Sequence, residues 1–256
     1  MNEIIKFLNS HVSVRQFTDQ DISAENERTI IATAQRSATS SNLQLYSIIG
    51  VRDQEKKEKL AQLCGYQKHV EQSKLFLVFC ADLHRTKKIN DSKNYPHNEQ
   101  YIETLLISVV DASLAACRAL MAAQALGIGG VMVGGIRNNP KEVCELLQMP
   151  KLTMPVMGMS LGYPEKEAKL KPRLPLEAVY HREVYDDSNI AEHLSEHDKA
   201  IEALGYLKEV EPDKYPDYEG LYSWVEHTAR RMASDNPKTY RAHLRAFLEE
   251  QGFKMK

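Results

Sequence analysis

This 256-residue chain has almost no net charge: 33 Lys and Arg stand against 35 Asp and Glu, leaving −2 at pH 7. So even a balance gives no global attraction for nucleic acid or an anionic membrane, and neither is expected as a partner. Any anion must be held locally. Cysteine is also scarce. Cys64, Cys80, Cys117 and Cys144 form no CxxC pair, which argues against a disulfide framework or a thiolate zinc site and for reduced packing thiols. The opening MNEIIKFLNSH holds one Lys and two isolated apolar pairs and lacks the apolar run of a signal peptide. The most apolar stretch, 105–136, contains Asp111 and Arg118 and is cut by glycines. It reads as a buried helix followed by a strand, not a membrane span, and the expected location is cytoplasmic.

Several catalytic signatures are missing as well. Gly127, Gly129 and Gly130 sit at a helix-to-strand turn with Met132 where a third glycine belongs, the reverse of a dinucleotide fingerprint. There is no GxxxxGK[ST], and no carboxylate dyad or triad stands out. HLSEH at 193–197 matches the HxxEH pattern of inverted zinc proteases and puts His193 and His197 on one helical face. Its neighbours Glu192, Asp198 and Lys199 describe a solvated face, and no metal is expected.

What is present is a core-forming chain, 43% hydrophobic, long enough for one large domain or two small ones. Ser23 caps a helix expected to run to about Ala38. Strands are expected at 45–51, 75–80, 127–135 and 154–161, with helices at 54–65, 99–126 and 139–147. The 99–126 helix is rich in small residues, which implies close packing against another helix, within the chain or from a second subunit. Past about Asp186 the texture becomes charged, Tyr-rich and helical. The order describes an α+β or α/β domain over 1–185 with a helical extension over 186–256.

Two segments carry anion-binding chemistry. In HVSVRQF, alternation puts His11, Ser13 and Arg15 on one side of an extended segment, suited to a phosphate or an electron-rich ring edge; an edge strand with a polar face reads the same way. In KLKPRLP, Pro172 stiffens the link between Lys171 and Arg173. The paired Gly134 and Gly135 bring backbone amides close either to a flat group or to another chain segment.

These motifs occur together, in order, with Thr39, Ser40 and Ser41, with Gln67, Lys68 and His69, and with GGIRNN at 134–139. In that combination the chain resembles the oxygen-insensitive nitroreductase and flavin reductase family, in its larger NADPH-preferring branch, over positions 11–175. The resemblance implies a three-layer α/β/α fold with a mostly antiparallel sheet, in an intertwined homodimer whose C-terminal segments embrace the partner. It implies one FMN per interface site and an NAD(P)H oxidoreductase that passes two electrons by a ping-pong route to nitroaromatics, quinones or free flavin. By resemblance, His11, Ser13, Lys171 and Arg173 hold the FMN phosphate and Arg15 lies at the N1/O2 edge. Thr39, Ser40, Ser41, Gln67, Lys68 and His69 line the ribityl and pyrimidine side, and Met132, Val133, Gly134 and Gly135 run under the ring. Asn42 departs from the aromatic common in this branch. The loop 206–222, Arg-rich in the family, offers only Lys208 and Lys214, so Arg137 and Lys208 are the NAD(P)H candidates, with Arg230 and Arg231 as substitutes. A flavin-holding sensor or carrier without turnover is the alternative.

Overall fold

The computed structural model describes residues 1–205, 223–233 and 240–256. The chain divides into two compact units, Met1–Ala168 with Tyr240–Lys256, and Lys169–Thr239. This division differs from the expected 1–185 and 186–256: the border falls earlier, and the C-terminal end packs back into the first unit.

The first unit is built on a four-stranded antiparallel sheet of order β1-β2-β4-β3, with β1 at Tyr46–Val51, β2 at Leu75–Asp82, β3 at Gly129–Val133 and β4 at Thr153–Gly162. All eight residues of β2 are buried, because both faces of the sheet are covered. On one face Leu75, Leu77, Phe79 and Ala81 pack with the alanines of a 24-residue helix, Ile102–Ala125. On the other, Phe76, Val78 and Cys80 pack with Leu60, Ala61 and Val143. The helices in chain order are α1 (Glu3–Asn9), α2 (Ala24–Ala34), α3 (Gln54–Leu63), α4 (Lys68–Glu71), α5 (His84–Lys93), α6 (Ile102–Ala125) and α7 (Pro140–Leu146). Ser23 caps α2 through Asn26 N and Asp53 caps α3 through Lys56 N, satisfying amides that the first turn leaves free.

α6 is long and apolar enough to cross a membrane by length and composition alone. Its small-residue face, Ala112, Ala115, Ala116, Ala119 and Ala123, is buried against the chain's own sheet and α2. The expected helix partner is therefore α2, within the chain. The opposite face carries the larger residues Ile102, Leu106, Val110, Leu114 and Met121, all exposed. The last helix, Leu244–Gln251, buries Phe247 and Leu248 in the same core. Behind it, Lys256 N donates to Gln100 O at 2.7 Å.

The second unit contains the segment around Lys171 and Arg173, a short 3-10 turn at Leu176–Ala178, and helices Ile190–Ala203 and Trp224–Ala233. His197 is buried with its ring edge-on to Trp224, centroids 4.9 Å apart. This is how the HxxEH sequence is used: one imidazole packs two helices together. Its Nδ1 has no hydrogen-bond partner among the described residues, and these include no cluster of three His, Cys, Asp or Glu groups able to hold a metal.

Candidate functional site

The HVSVRQF segment lies along the β3–β4 end of the sheet. Val14 N donates to Gly130 O at 3.0 Å, Thr18 N to Tyr163 O at 2.9 Å, and Phe17 bridges Pro164. Two glycines make this possible. Gly129 and Gly162 are register partners; a Cβ on Gly129 would stand 2.7 Å from Val14 Cγ2, and one on Gly162 2.7 Å from Phe17 Cγ. With Val14 and Phe17 seated there, Ser13 is half-buried and Arg15 is exposed. The half-buried His11 ring is tied to the Gln124 carboxamide near the end of α6 by contacts of 3.1 and 3.3 Å.

Gln67, Lys68 and His69 form the entry to α4, after Tyr66 turns the chain at φ 59°. His69 Nδ1 is 3.1 Å from the hydroxyl of the buried Ser160 on β4. Burial first, and then the nearby Arg15 charge, push the His69 pKa down to about 4. Arg15 and His69 therefore share one neighbourhood. Gln67 Nε2 donates to Cys64 O at 2.9 Å, and Gly135 is wedged against both: a Cβ there would meet Cys64 O at 2.4 Å and Gln67 Nε2 at 2.6 Å. Gly135 is thus glycine because another chain segment crosses it. Gly134 differs, since a Cβ there meets only Arg137 Nη2, at 3.4 Å, so its backbone faces space that a flat group can enter. Val133 turns its side chain into the core, while Met132 is half-buried.

The hydroxyl run sits elsewhere. Ser40 N and Leu45 N each donate, at 3.0 Å, to the two carboxylate oxygens of Asp111, which is buried on α6. Between those anchors Ser41, Asn42 and Gln44 adopt positive φ of 48°, 56° and 53°, a conformation that costs non-glycine residues energy and needs an external restraint. Asp111 is that restraint. In the sequence it stands out only as a carboxylate at the start of the alanine-rich part of a helix. Asp111 and Gln124 are more than three turns apart, about 20 Å at about 1.5 Å per residue. Within one chain, therefore, Thr39, Ser40 and Ser41 are not brought to His11.

Arg137 is half-buried; its Nη1 donates to Val156 O, and burial, with the Arg241 charge, lowers its pKa. Arg241 Nε in turn donates to Asn138 Oδ1 at 2.8 Å. Lys171 and Arg173 belong to the second unit, Lys171 half-buried and Arg173 exposed. Arg230 and Arg231 lie on the Trp224–Ala233 helix. Lys208, Lys214 and the rest of 206–222 lie outside the described residues.

Comparison with known proteins matches both halves of the chain. Residues 8–163 fit the nitroreductase family model, and residues 171–256 the model of that family's C-terminal domain. The FMN reductase [NAD(P)H] of Bacillus subtilis is 36% identical over 260 residues, covering 100% of this chain and 99% of its own. The oxygen-insensitive NADPH nitroreductase of Salmonella typhimurium is 37% identical over 255 residues, covering 99% of each. Among solved structures, NfrA2 of B. megaterium superposes with a TM-score of 0.90 at 37% identity. The NADPH:FMN oxidoreductase of Vibrio harveyi, complexed with NAD+, superposes with a TM-score of 0.87 at 32% identity. Each of these two covers 100% of both chains.

Proposed function

The chain belongs to the nitroreductase family, and from that premise we propose that it is an FMN-dependent NAD(P)H oxidoreductase working as an intertwined homodimer of three-layer α/β/α subunits. The observation that carries the reading is the open backbone at Gly134 beside a segment, α4, that also meets the Arg15 charge. A planar cofactor needs a wall without side chains and a cation nearby, and these residues fit it.

Bound FMN would supply the redox chemistry, accepting two electrons from NADPH or NADH and releasing them by a ping-pong route to a nitroaromatic, a quinone or free flavin. The chain's own residues have narrower tasks. Arg15 holds a guanidinium, always charged, where negative charge accumulates on the reduced ring. His11 and Ser13 hold the phosphate, a role that the family resemblance also gives Lys171 and Arg173. Gln67, Lys68 and His69 take the polar edge, and the Met132–Gly135 backbone forms the floor. Arg137, tied to the β4 backbone, is the leading NAD(P)H candidate within the described residues, with Arg230 and Arg231 as substitutes, and Lys208 the candidate outside them.

The distance between the two halves of the site supports the dimer. Because Thr39, Ser40 and Ser41 lie about three helical turns from His11, we read them as the partner subunit's contribution, brought over by contact along the exposed Leu106, Val110 and Leu114 stripe of α6. The test is the visible spectrum of purified protein: a band at about 450 nm, present as isolated or after FMN is added, is expected of bound oxidised flavin. Protein that cannot be made yellow refutes the reading.

A further inference from the structure

A cavity of about 690 Å³ opens beside the 42–45 loop, with none of His11, Arg15 or Gly134 in its lining. Pockets of about 300–1,000 Å³ suit small organic ligands. Its wall is mixed: Leu43, Ile89 and Ile107 supply apolar surface, and Arg85, Thr86 and His97 supply polar groups. No acidic side chain lines it, in a chain where acids outnumber bases. A neutral or anionic guest is admitted and a cation gains nothing.

The polar groups are fixed in place. Arg85 Nη2 donates to Gln44 O at 2.9 Å and also to Tyr46 O, and lies 3.9 Å from the Asp82 carboxylate, while about half of its side chain, 52%, remains exposed to meet a further anion. Its guanidinium is therefore aimed by the same loop that Asp111 restrains. His97 is nearly enclosed, with Nε2 3.0 Å from Thr86 Oγ1 and Nδ1 3.0 Å from Glu99 Oε2. Burial works against the Glu99 charge, but its own backbone N–H, His97 and Lys254 outweigh that and hold its pKa below the usual range. An ionised Glu99 fixes a proton on His97 Nδ1 and turns Nε2 toward Thr86. This hydroxyl–imidazole–carboxylate chain joins α5 to the entry of α6, and reading the sequence does not reveal it.

We propose that this cavity receives the electron acceptor, and that it favours planar aromatic acceptors bearing an anionic substituent, paired with Arg85, over neutral ones of the same shape. Leu43 and Ile107 supply apolar wall to the ring, and Arg85 meets its anionic edge. The word acceptor rests on the proposed function; the binding does not. The cavity wall continues into the loop that carries Ser40 and Ser41, so a ligand held there adjoins the residues read as the partner's share of the cofactor site.

The test is a ligand-observed NMR titration of the FMN-loaded protein with para-nitrobenzoate and para-nitrobenzyl alcohol. Wild-type protein is expected to bind the benzoate more tightly. Arg85→Gln, which keeps a donor for the Gln44 carbonyl, is expected to weaken benzoate binding about tenfold, the loss of one charge-assisted contact, with the alcohol within about twofold of wild type. Ile89→Trp, on the exposed wall, is expected to weaken both. Equal wild-type affinities, or a benzoate affinity unmoved by both variants, overturn the proposal. Anaerobic bleaching by NADPH, run on the same samples, separates the two readings. Bleaching without ligand discrimination refutes the cavity alone, and discrimination without bleaching refutes the oxidoreductase reading alone.

Discussion

Replacing Asp111 with alanine tests the loop architecture directly. The carboxylate is 1% exposed and accepts two backbone bonds of 3.0 Å, from Ser40 N and Leu45 N. Hydrogen bonds to a charged acceptor contribute about 1.5–3 kcal/mol each, and a donor left buried costs about as much again as it would have gained. Alanine removes both bonds and releases a loop in which Ser41, Asn42 and Gln44 hold positive φ. Part of the loss is recovered when that strain relaxes and water reaches Ser40 N. The expected destabilisation is about 3–5 kcal/mol. Asp111→Asn should lose about half as much, because one carboxamide oxygen replaces two acceptors and its NH2 confronts a second donor. The assay is urea unfolding followed by circular dichroism, with the slope against denaturant unchanged so that midpoints compare directly. Flavin retention should fall in the same order, since Ser40 and Ser41 move with the loop. A D111A variant within about 0.5 kcal/mol of wild type, the range of ordinary surface changes, would refute the reasoning.

Other predictions follow from single contacts. Gly135→Ala must displace the Cys64 carbonyl and is expected to cost about 1–3 kcal/mol in a thermal melt, whereas Gly134→Ala, with a single 3.4 Å contact, should melt near wild type while hindering the cofactor. His69 has a folded pKa of about 4 against a reference of 6.5. The unfolded chain therefore takes up a proton between these values that the folded chain refuses, and stability falls as pH drops from about 6.5 to about 4. His69→Gln should flatten that part of the profile, and Arg15→Gln should raise the His69 pKa in an NMR titration. Val110→Arg on the exposed α6 stripe should yield a folded monomer by sedimentation, with flavin lost because the partner's Ser40 and Ser41 leave with it.

Much of the fold is legible in the sequence, for identifiable reasons. A continuous apolar run of strand length, LFLVFC, can only be covered on both faces, and β2 is. Ser23 and Pro140 mark helix starts through backbone chemistry that does not depend on context. The expectation of an α6 helix partner was met by α2, because alanines permit close approach to any neighbour and name none. Helix α5, with no buried residue and mean polarity high, carries no periodic signal to read. In the site, alternation in HVSVRQF was readable, but its seat was not: Gly129 and Gly162 are distant in sequence and acquire meaning only as register partners. Asp111 and the Thr86, His97 and Glu99 chain were hidden for the same reason, since single polar residues reveal their role only when folding supplies the partner.

The central claim is that the chain moves electrons from a reduced nicotinamide through a bound flavin. Anaerobic stopped-flow mixing of FMN-loaded protein with NADPH and, separately, NADH measures it most directly. Loss of the band at about 450 nm with at least one donor, and its return on adding para-benzoquinone after the nicotinamide has been removed, is the predicted result. A flavin that binds but stays oxidised with both donors would contradict the account and leave a flavin carrier in its place.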